Sequence, residues 1–421
     1  MKDVNYKIYT LGCKVNQYDS ALISQVLQSY GFCKVNRDAD LAIINTCAVT
    51  QKAISKDKRM INRARRENPK AKIIVFGCWP RVYSGLIKLD NVDYILGAGE
   101  FDKLFKIIKI IYKVKKKLNL PDIVATDRTR YFLKIQDGCE QFCTYCIIPL
   151  ARGKLKSRPA KKIIKEAKNA IKHNYKEIVL TGIHLGLYGK KGRGNFKYDL
   201  ADLIKKILVL PGLGRLRLSS IEITEIDDKI INLLKKEKKL CPHLHIPLQS
   251  GSDKILKLMN RPYTKDYFKK QVNRIRKVVP DIAISTDIIV GFPGETDQDF
   301  KETCRFTREI GFSRIHVFSF SAHPMTLAFH FPDKVKSEVI SKRSKILRSI
   351  GEKLEESFKN KFKNKTLEVF VERQGNNYLI GRSEYYFEVK FKPDNIVDNI
   401  VDNYQNKHYN NLINKIVAVK F

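Results

Sequence analysis

Three cysteines, Cys139, Cys143 and Cys146, lie within eight residues of the chain. Three residues separate the first pair and two separate the second, so three thiolates can converge on one inorganic centre. A closed zinc site or an electron-transfer cluster usually takes four protein ligands, whereas three leave one metal position open to a substrate or cofactor. Structural thiols in a turn and a zinc knot are the alternatives. Zinc knots favour paired two-residue spacings with a second pair or a histidine pair nearby, and neither follows here.

The C-x3-C-x2-C spacing resembles the signature of the radical S-adenosylmethionine (SAM) superfamily. Residues Phe132–Gly138 predict a strand that ends in a glycine turn just before the first cysteine. Tyr145 matches the position that lies against the adenine of SAM in this superfamily. The resemblance implies a catalytic [4Fe-4S] cluster on Cys139, Cys143 and Cys146. Its open iron would chelate SAM and, on reduction, release a 5′-deoxyadenosyl radical.

A second cysteine set is spread over the first part of the chain. Cys13, Cys47 and Cys78 each follow a short apolar stretch that predicts a strand; these stretches are Lys7–Leu11, Leu41–Ile44 and Lys72–Phe76. In a parallel sheet the three cysteines would emerge at the same carboxyl edge, where open α/β sheets bind ligands. We therefore infer a second three-cysteine cluster, an auxiliary [4Fe-4S] centre with one open iron.

The residues around this second set narrow the resemblance. Thr10–Ser20, Asn45–Thr50 and Phe76–Cys78 are similar to the amino-terminal domain of the methylthiotransferases. The form of Leu11–Gln17 is most similar to the branch that acts on threonylcarbamoyladenosine of tRNA. The isopentenyladenosine branch and the ribosomal-protein branch differ just after the first cysteine.

The resemblance implies transfer of a methylthio group to C2 of N6-threonylcarbamoyladenosine at position 37 of tRNA, next to the anticodon. One SAM would methylate sulfur held at the auxiliary cluster, and a second, cleaved at the other cluster, would yield the radical that takes hydrogen from adenine C2. Two [4Fe-4S] clusters and SAM are the implied cofactors. The implied partners are tRNA, an electron donor such as flavodoxin or ferredoxin, and a sulfur source. Alternatives are methylthiolation of isopentenyladenosine or of a ribosomal protein, or a non-catalytic iron–sulfur RNA-binding or electron-carrier protein.

Composition fits a nucleic-acid partner. The 421 residues are too many for one ordinary core, so two or three domains are expected. The net charge of +36, from 80 Lys plus Arg against 44 Asp plus Glu, suggests a polyanion, although some Lys can be solvated surface only. The start of the chain is polar, and no apolar run approaches transmembrane length. We expect a cytoplasmic protein without membrane attachment, whose cysteines bind metal, with Cys33, Cys241 and Cys304 structural.

The pattern of strands and helices predicts three domains of α/β class. Residues 1–118 predict a parallel α/β domain that holds the auxiliary cluster. Residues 125–360 predict six strand–helix units, a partial (β/α)6 barrel as in the resembled superfamily, with a helical connector at its end. Residues 364–421 predict a small all-β barrel similar to the TRAM module that closes methylthiotransferases.

Polar turns at the strand ends are candidate SAM contacts, since active sites of such barrels lie there. By similarity the pocket residues are Thr181, Gly182, Ser220 and Glu222. A βα loop needs glycine and a helix cap in any case, so each turn has a structural alternative. His184 and His245 are interpreted as ordinary polar residues, and Arg158 as either an anion ligand or a partner within its loop.

Charge is distributed unevenly along the chain. Seven Lys and Arg residues crowd the predicted helix Val49–Glu67, which is either a solvated face or a phosphate contact beside the cluster. The tail from Thr366 to Phe421 contains seven Lys plus Arg and seven Asp plus Glu, and is Asn-rich around Asn395–Asn411. A neutral tail would bind RNA weakly or through stacking and loop contacts. We therefore expect much of the RNA contact upstream.

Overall fold

The computed structural model describes residues 4–83, 89, 91–118, 121, 123–124, 129–190, 197–397 and 412–421. The chain packs into two compact units. The first comprises Met1–Asp127, Gln136–Ser157 and Ser321–His330, and the second comprises Arg128–Ile135, Arg158–Phe320 and Phe331–Phe421. Both cysteine sets belong to the first unit. The three-domain boundaries stay a prediction, and most of the Asn-rich stretch, 398–411, lies outside the described residues.

A five-stranded parallel sheet forms the first unit, with the strand order β2-β1-β3-β4-β5. Its strands are β1 (Asn5–Thr10), β2 (Cys33–Lys34), β3 (Leu41–Thr46), β4 (Lys72–Gly77) and β5 (Tyr94–Gly97). Its helices are α1 (Lys14–Ser29), α2 (Gln51–Glu67), α3 (Cys78–Val82) and α4 (Phe101–Ile111). The predicted parallel α/β fold of this region is confirmed; β2 was not predicted.

The sheet is buried because helices cover both of its faces. Every residue of β3 is buried, and the apolar side chains divide between two cores, one on each face. A strand buried on both faces reads as a continuous apolar run, which is how Leu41–Ile44 appears in the sequence. The first unit also holds a short antiparallel ribbon and one more helix: β7 (Gln136–Asp137), β8 (Lys156–Ser157) and α5 (Ile148–Arg152).

Six parallel strands in chain order form the barrel of the second unit. They are β6 (Tyr131–Lys134), β9 (Glu177–Thr181), β10 (Arg215–Leu218), β11 (His243–His245), β12 (Ala283–Val290) and β13 (Arg314–Ser319). They pair as two three-stranded sheets, which single bridges connect at Leu216 with Leu240 and at Ser220 with His245. The predicted run of six strand–helix units is confirmed.

Amphipathic helices surround the strands of the barrel. They are α6 (Ala160–Lys172), α7 (Leu200–Leu208), α8 (Asp228–Lys236), α9 (Asp253–Leu258), α10 (Lys265–Val278) and α11 (Asp297–Ile310). Several begin at a polar residue whose side chain accepts a hydrogen bond from the third helical N–H, as Thr296 does from Asp299. Among the described residues, no helix has both the length and the apolar character that crossing a membrane requires.

A long helix, α12 (Ser337–Asn360), leads to a four-stranded antiparallel sheet with the order β16-β15-β14-β17. Its strands are β14 (Thr366–Gln374), β15 (Leu379–Ser383), β16 (Glu388–Phe391) and β17 (Ile416–Lys420). We call these four strands the C-terminal module. Phe358 and Phe362, at the end of α12, are part of its core. An all-β tail is therefore confirmed.

Buried arginines attach the C-terminal module to the barrel. Arg215 and Arg217 of β10 both donate to the carboxylate of Glu177, at 2.5 and 2.9 Å, and all three side chains are buried. Their remaining N–H groups donate to four carbonyls of the module, those of Glu368, Arg382, Ser383 and Glu384. The Tyr386 ring packs 4.9 Å from the Arg217 guanidinium. Burial alone would raise the pKa of Glu177, but these arginines and Arg130 lower it.

Candidate functional site

Cys13, Cys47 and Cys78 follow neighbouring parallel strands of the first unit. Cys13 lies just before α1, Cys47 directly after β3, and Cys78 is the first residue of α3, directly after β4. Because β1, β3 and β4 are adjacent in the sheet, one edge presents all three cysteines. Sequence reasoning from strand ends anticipated this arrangement.

Glycines let these cysteine-bearing turns approach closely. A methyl group at Gly12 would lie 3.0 Å from the Cβ atom of Cys47. Gly77 has φ of +119° and would place a methyl group 2.7 Å from the carbonyl oxygen of Thr46. Positive φ and missing space both favour glycine at this position. The turns before Cys13 and Cys78 are thus packed against the end of β3.

The electrostatics of the thiols fit a cation-binding role. Burial, together with the neighbouring Cys78 and Cys13, raises the pKa of Cys47 to about 12. Thiols whose charges repel one another ionise together only when a positive centre compensates their charge. A metal cluster supplies that charge and deprotonates its thiol ligands. The donor set of three cysteines therefore fits the implied auxiliary cluster.

Arg152 is the fixed cation of this region. Its guanidinium donates to Oδ1 of Asn16 at 2.5 Å, to Asp19 at 2.9 Å and to Asp137 at 3.1 Å. Burial raises the pKa of Cys78, and the positive charge of Arg152 opposes that effect. The guanidinium thus lies where it stabilises a thiolate. Arg152 follows the loop of Cys139, Cys143 and Cys146 in a stretch that matches the resembled family, but no spacing rule relates it to Cys13, Cys47 and Cys78, so sequence analysis gave it no role beside them.

Cys139, Cys143 and Cys146 lie on a loop that its own backbone closes. The N–H of Cys139 donates to the carbonyl of Gly153 at 3.1 Å, and the N–H of Cys146 to that of Cys143 at 2.9 Å. The N–H of Gln141 points to Sγ of Cys139 at 3.5 Å. Hydrogen bonds of this kind to sulfur are among the factors that tune iron–sulfur clusters. The set of three thiols, one of them with an amide donor, therefore fits the implied radical SAM cluster.

The two cysteine sets lie on elements that pack together within the first unit. α3, which begins at Cys78, shares a core with α5, which follows Cys146. Cys78, Trp79 and Val82 of α3 and Ile147 and Ala151 beside Cys146 belong to this core. The packing fixes the loop of Cys139, Cys143 and Cys146 against the sheet edge that presents Cys13, Cys47 and Cys78.

The candidate SAM contacts fall in both units. Tyr145 is half-buried on the cysteine loop of the first unit. The other four follow two neighbouring barrel strands of the second unit: Thr181 and Gly182 at the end of β9, and Ser220 and Glu222 after β10. Two pairs of candidates therefore share one edge of the barrel, while their contact with SAM stays a prediction.

Some of these side chains already have partners. The Thr181 hydroxyl donates to the carbonyl of Val179 at 3.2 Å. Glu222 forms an ion pair with the buried Arg261, which sequence analysis did not single out. Burial raises the pKa of Glu222, and Arg261 opposes this. Arg261 fixes the direction of the carboxylate. No motif in the sequence predicts this pair, because the two residues are 39 positions apart.

The remaining predicted side chains have structural partners. Arg158 donates to Glu166 of α6 at 2.6 Å, so its side chain has a partner in the second unit that lies outside the loop. Nε2 of His184 lies against a carboxylate oxygen of Glu225, and both side chains are buried. Cys33 is exposed, and Cys241 and Cys304 are buried thiols outside both sets.

Comparisons with known proteins give matches for the amino-terminal region and for the barrel region of the chain. A model of the radical SAM superfamily matches residues 133–307, and a model described as uncharacterized protein family UPF0004 matches residues 5–97. The threonylcarbamoyladenosine tRNA methylthiotransferase MtaB of Bacillus subtilis (strain 168) is 38% identical over 408 residues, which cover 91% of this chain and 89% of that protein. The tRNA-2-methylthio-N(6)-dimethylallyladenosine synthase of Rickettsia typhi is 33% identical over 405 residues, covering 90% and 91%.

The fold is also that of a solved radical SAM enzyme. The methyltransferase TsrM of Kitasatospora setae, solved with cobalamin and a [4Fe-4S] cluster bound, superposes with a TM-score of 0.58. The match covers 78% of this chain and 77% of that chain at 13% sequence identity, so it bears on the fold alone. The fold predicted from the cysteine spacing and the six strand–helix units is thereby confirmed.

Proposed function

The chain belongs to the radical SAM methylthiotransferases of tRNA, and we propose that it adds a methylthio group to C2 of N6-threonylcarbamoyladenosine at position 37 of tRNA. Relatives named for threonylcarbamoyladenosine are 36–38% identical over about nine tenths of the chain. Relatives named for dimethylallyladenosine are 31–33% identical. This difference favours the threonylcarbamoyl substrate.

The observation that carries the proposal is the presence of two three-cysteine sets on one compact unit. We assign Cys139, Cys143 and Cys146 to the cluster that binds SAM, and Cys13, Cys47 and Cys78 to the auxiliary cluster. When bound, the two clusters and SAM supply hydrogen-atom abstraction, the sulfur and the methyl group. Two centres with three protein ligands each suit a reaction that needs one site to activate a C–H bond and another to hold the inserted group.

The residues of the chain position these groups and exclude water from them. Burial of Cys47 and Cys78 keeps solvent away from these two auxiliary thiolates, whereas Cys13 is exposed. Arg152 holds a positive charge beside Cys78. We assign Tyr145, Thr181, Gly182, Ser220 and Glu222 to SAM, with Arg261 as a positioning residue for Glu222. The reaction also needs an electron donor, such as flavodoxin or ferredoxin, and a sulfur source, and we place it in the cytoplasm.

The test is an anaerobic reaction with tRNA that carries threonylcarbamoyladenosine but no methylthio group. Mass spectrometry of the nucleosides should show the 2-methylthio product, and 5′-deoxyadenosine should accumulate. If only tRNA that carries isopentenyladenosine is modified, the protein belongs to the isopentenyladenosine branch instead. Absence of 5′-deoxyadenosine from the reduced, reconstituted protein would favour the non-catalytic alternative.

Cysteine variants separate the two assignments. Cys143→Ala should abolish SAM cleavage. Cys47→Ala should retain SAM cleavage but give no methylthiolated nucleoside. Cys304→Ala is the matched control, since this buried thiol lies outside both sets. Full activity of Cys47→Ala and Cys143→Ala would contradict both cluster assignments.

A further inference from the structure

Two histidines and one aspartate converge on three adjacent strands of the barrel, away from both cysteine sets in the sequence. In the parallel pairing of β12 with β13, Asp287 is the direct partner of His316. In the pairing of β11 with β12, His245 is the partner of Ser285. Because side chains alternate along a strand, Ser285 and Asp287 lie on the same face. The strand register therefore places His245, Asp287 and His316 side by side on one face of the sheet.

The ligand atoms of these three side chains all lie within 4.8 Å of one another. Nε2 of His245 and Oδ2 of Asp287 are separated by 3.2 Å. Two atoms bound to one cation at about 2.0–2.2 Å in a tetrahedral or octahedral arrangement are separated by roughly 3 Å. The His245–Asp287 distance is thus that of two ligands around a single ion, and the ligand atom of His316 lies within 4.8 Å of both.

A neighbouring hydroxyl orients the first imidazole. Nδ1 of His245 lies 3.0 Å from Oγ of Ser285, and Nε2 of His243 lies 3.1 Å from the same oxygen. Ser285 can accept a hydrogen bond from His245 and donate one to His243. With its proton on Nδ1, His245 presents the lone pair of Nε2 toward Asp287. Ligating histidines typically donate their other N–H to such a partner, which fixes the ring.

The surroundings suit an ion that keeps some coordination positions free for ligands from outside the protein. All three side chains are half-buried, with 17% of His245 and 28% of Asp287 exposed, so an ion and additional ligands can reach them. The three groups sit on strands rather than loops, which holds their geometry.

We propose that His245, Asp287 and His316 bind one divalent first-row cation such as Mn²⁺, Fe²⁺ or Zn²⁺. Two imidazoles and one carboxylate are a recurring set for such ions, and they leave positions for water or for a carboxylate oxygen of a bound molecule. The site is distinct from the thiolate clusters in ligand type, and it does not rest on the proposed function. It revises the interpretation of His245 as an ordinary polar residue; sequence analysis selected neither Asp287 nor His316.

The test is Mn²⁺ binding to the protein with its clusters reconstituted and oxidised. Mn²⁺ prefers nitrogen and oxygen ligands to thiolates, so the cysteines compete poorly for it. The room-temperature EPR signal of free aquo-Mn²⁺ should decrease by one equivalent per chain. Zn²⁺ should displace the bound Mn²⁺, because it binds the same ligands more tightly. Neither tRNA nor SAM is present, so failure here is separate from failure of the proposed function.

Variants assign the binding to these three residues. Asp287→Asn and His316→Gln should each weaken Mn²⁺ binding by more than about tenfold, because each removes a direct ligand. His173→Gln is the matched control, an exposed histidine that directly follows α6 in the same unit. The iron content of each variant shows whether it folds and holds its clusters. Wild-type protein without a stoichiometric Mn²⁺ site, or variants that bind as wild type, would overturn the proposal and leave a hydrogen-bonded polar cluster.

Discussion

Arg152 donates a hydrogen bond of 2.9 Å to Asp19, and both side chains are only 2% exposed. The two residues are 133 positions apart. Arg152 closes the helix that follows Cys146, whereas Asp19 lies on α1, which begins after Cys13. A buried ion pair of this kind is weak evidence for stability in itself, but it fixes the relative position of its two elements. It therefore links the loop of one cysteine set to the helix beside the other.

Removal of the arginine should destabilise the protein. In Arg152→Gln, Asp19 keeps its buried negative charge but loses its cation, which typically costs about 3–5 kcal/mol. Anaerobic thermal unfolding should show a lower midpoint, and iron content should fall because Cys78 loses the neighbouring positive charge. Arg63→Gln is the control, since Arg63 forms an exposed pair with Glu67. Equal midpoints for the two variants would contradict the bridging role of Arg152.

Two glycines of the same loop should respond differently to alanine. Gly138 has φ of +74°, and a methyl group there would lie 2.1 Å from the carbonyl oxygen of Lys154. Gly153 has φ of +71° but nothing within 4 Å of its added methyl group. Gly138→Ala must displace the backbone beside Cys139, whereas Gly153→Ala carries only the modest cost of positive φ, about 1 kcal/mol. Iron content and SAM cleavage should fall in Gly138→Ala and persist in Gly153→Ala; the reverse order would refute the clash argument.

Iron content counts the clusters directly. After anaerobic reconstitution, the wild-type protein should contain about eight irons, and the Cys139/Cys143/Cys146 triple Ala variant about four. The difference follows because each [4Fe-4S] cluster depends on its own three thiolates. About four irons in the wild type and none in the variant would mean that Cys13, Cys47 and Cys78 hold no cluster.

The cysteine sets could be predicted because short sequence motifs and the ends of predicted strands are enough to identify them. Cys139, Cys143 and Cys146 are near in sequence, and the edge shared by Cys13, Cys47 and Cys78 follows from parallel strands alone. The partners of these residues could not be predicted, since Arg152 reaches Asp19 only through tertiary packing. Pairs of residues that are this far apart in the chain produce no recognisable pattern in the sequence.

In the barrel, too, the strands could be predicted from the sequence but the long-range partners of their side chains could not. The strand at Arg215 was predicted, but the alternation of arginine and leucine suggests one polar face in water. The structure buries Arg215 and Arg217, because Glu177 and the carbonyls of the C-terminal module receive their hydrogen bonds. His245, Asp287 and His316 likewise meet only when the register of three strands is known.

Glu384 should make the stability of the C-terminal module depend on pH. Burial raises the pKa of this carboxyl to about 7. A raised pKa contributes stability at low pH that is lost as pH rises from the unfolded pKa, about 4.5, through 7. Between about pH 5 and pH 8, the wild type should therefore lose about 2–3 kcal/mol that Glu384→Gln does not lose. Thermal unfolding at both pH values measures this; Glu388→Gln, an exposed carboxylate of β16, is the control. Parallel pH profiles for wild type and Glu384→Gln would contradict the assignment.

The basic face of α2 should contribute to tRNA binding. Lys52, Lys56, Arg59, Arg63 and Arg66 recur at intervals of three and four residues on this helix, and all are exposed. Such a stripe attracts phosphates, and each neutralised phosphate adds about 0.7–0.9 to the slope of log affinity against log salt.

A triple Gln variant of Lys56, Arg59 and Arg66 should thus lower the magnitude of that slope by about 2–3, measured by titration of tRNA at several salt concentrations. The matched control is a triple Gln variant of Lys161, Lys165 and Lys168, which are exposed on α6. This variant removes the same amount of positive charge. If both variants changed the slope equally, the net charge of the chain, and not α2, would account for the affinity.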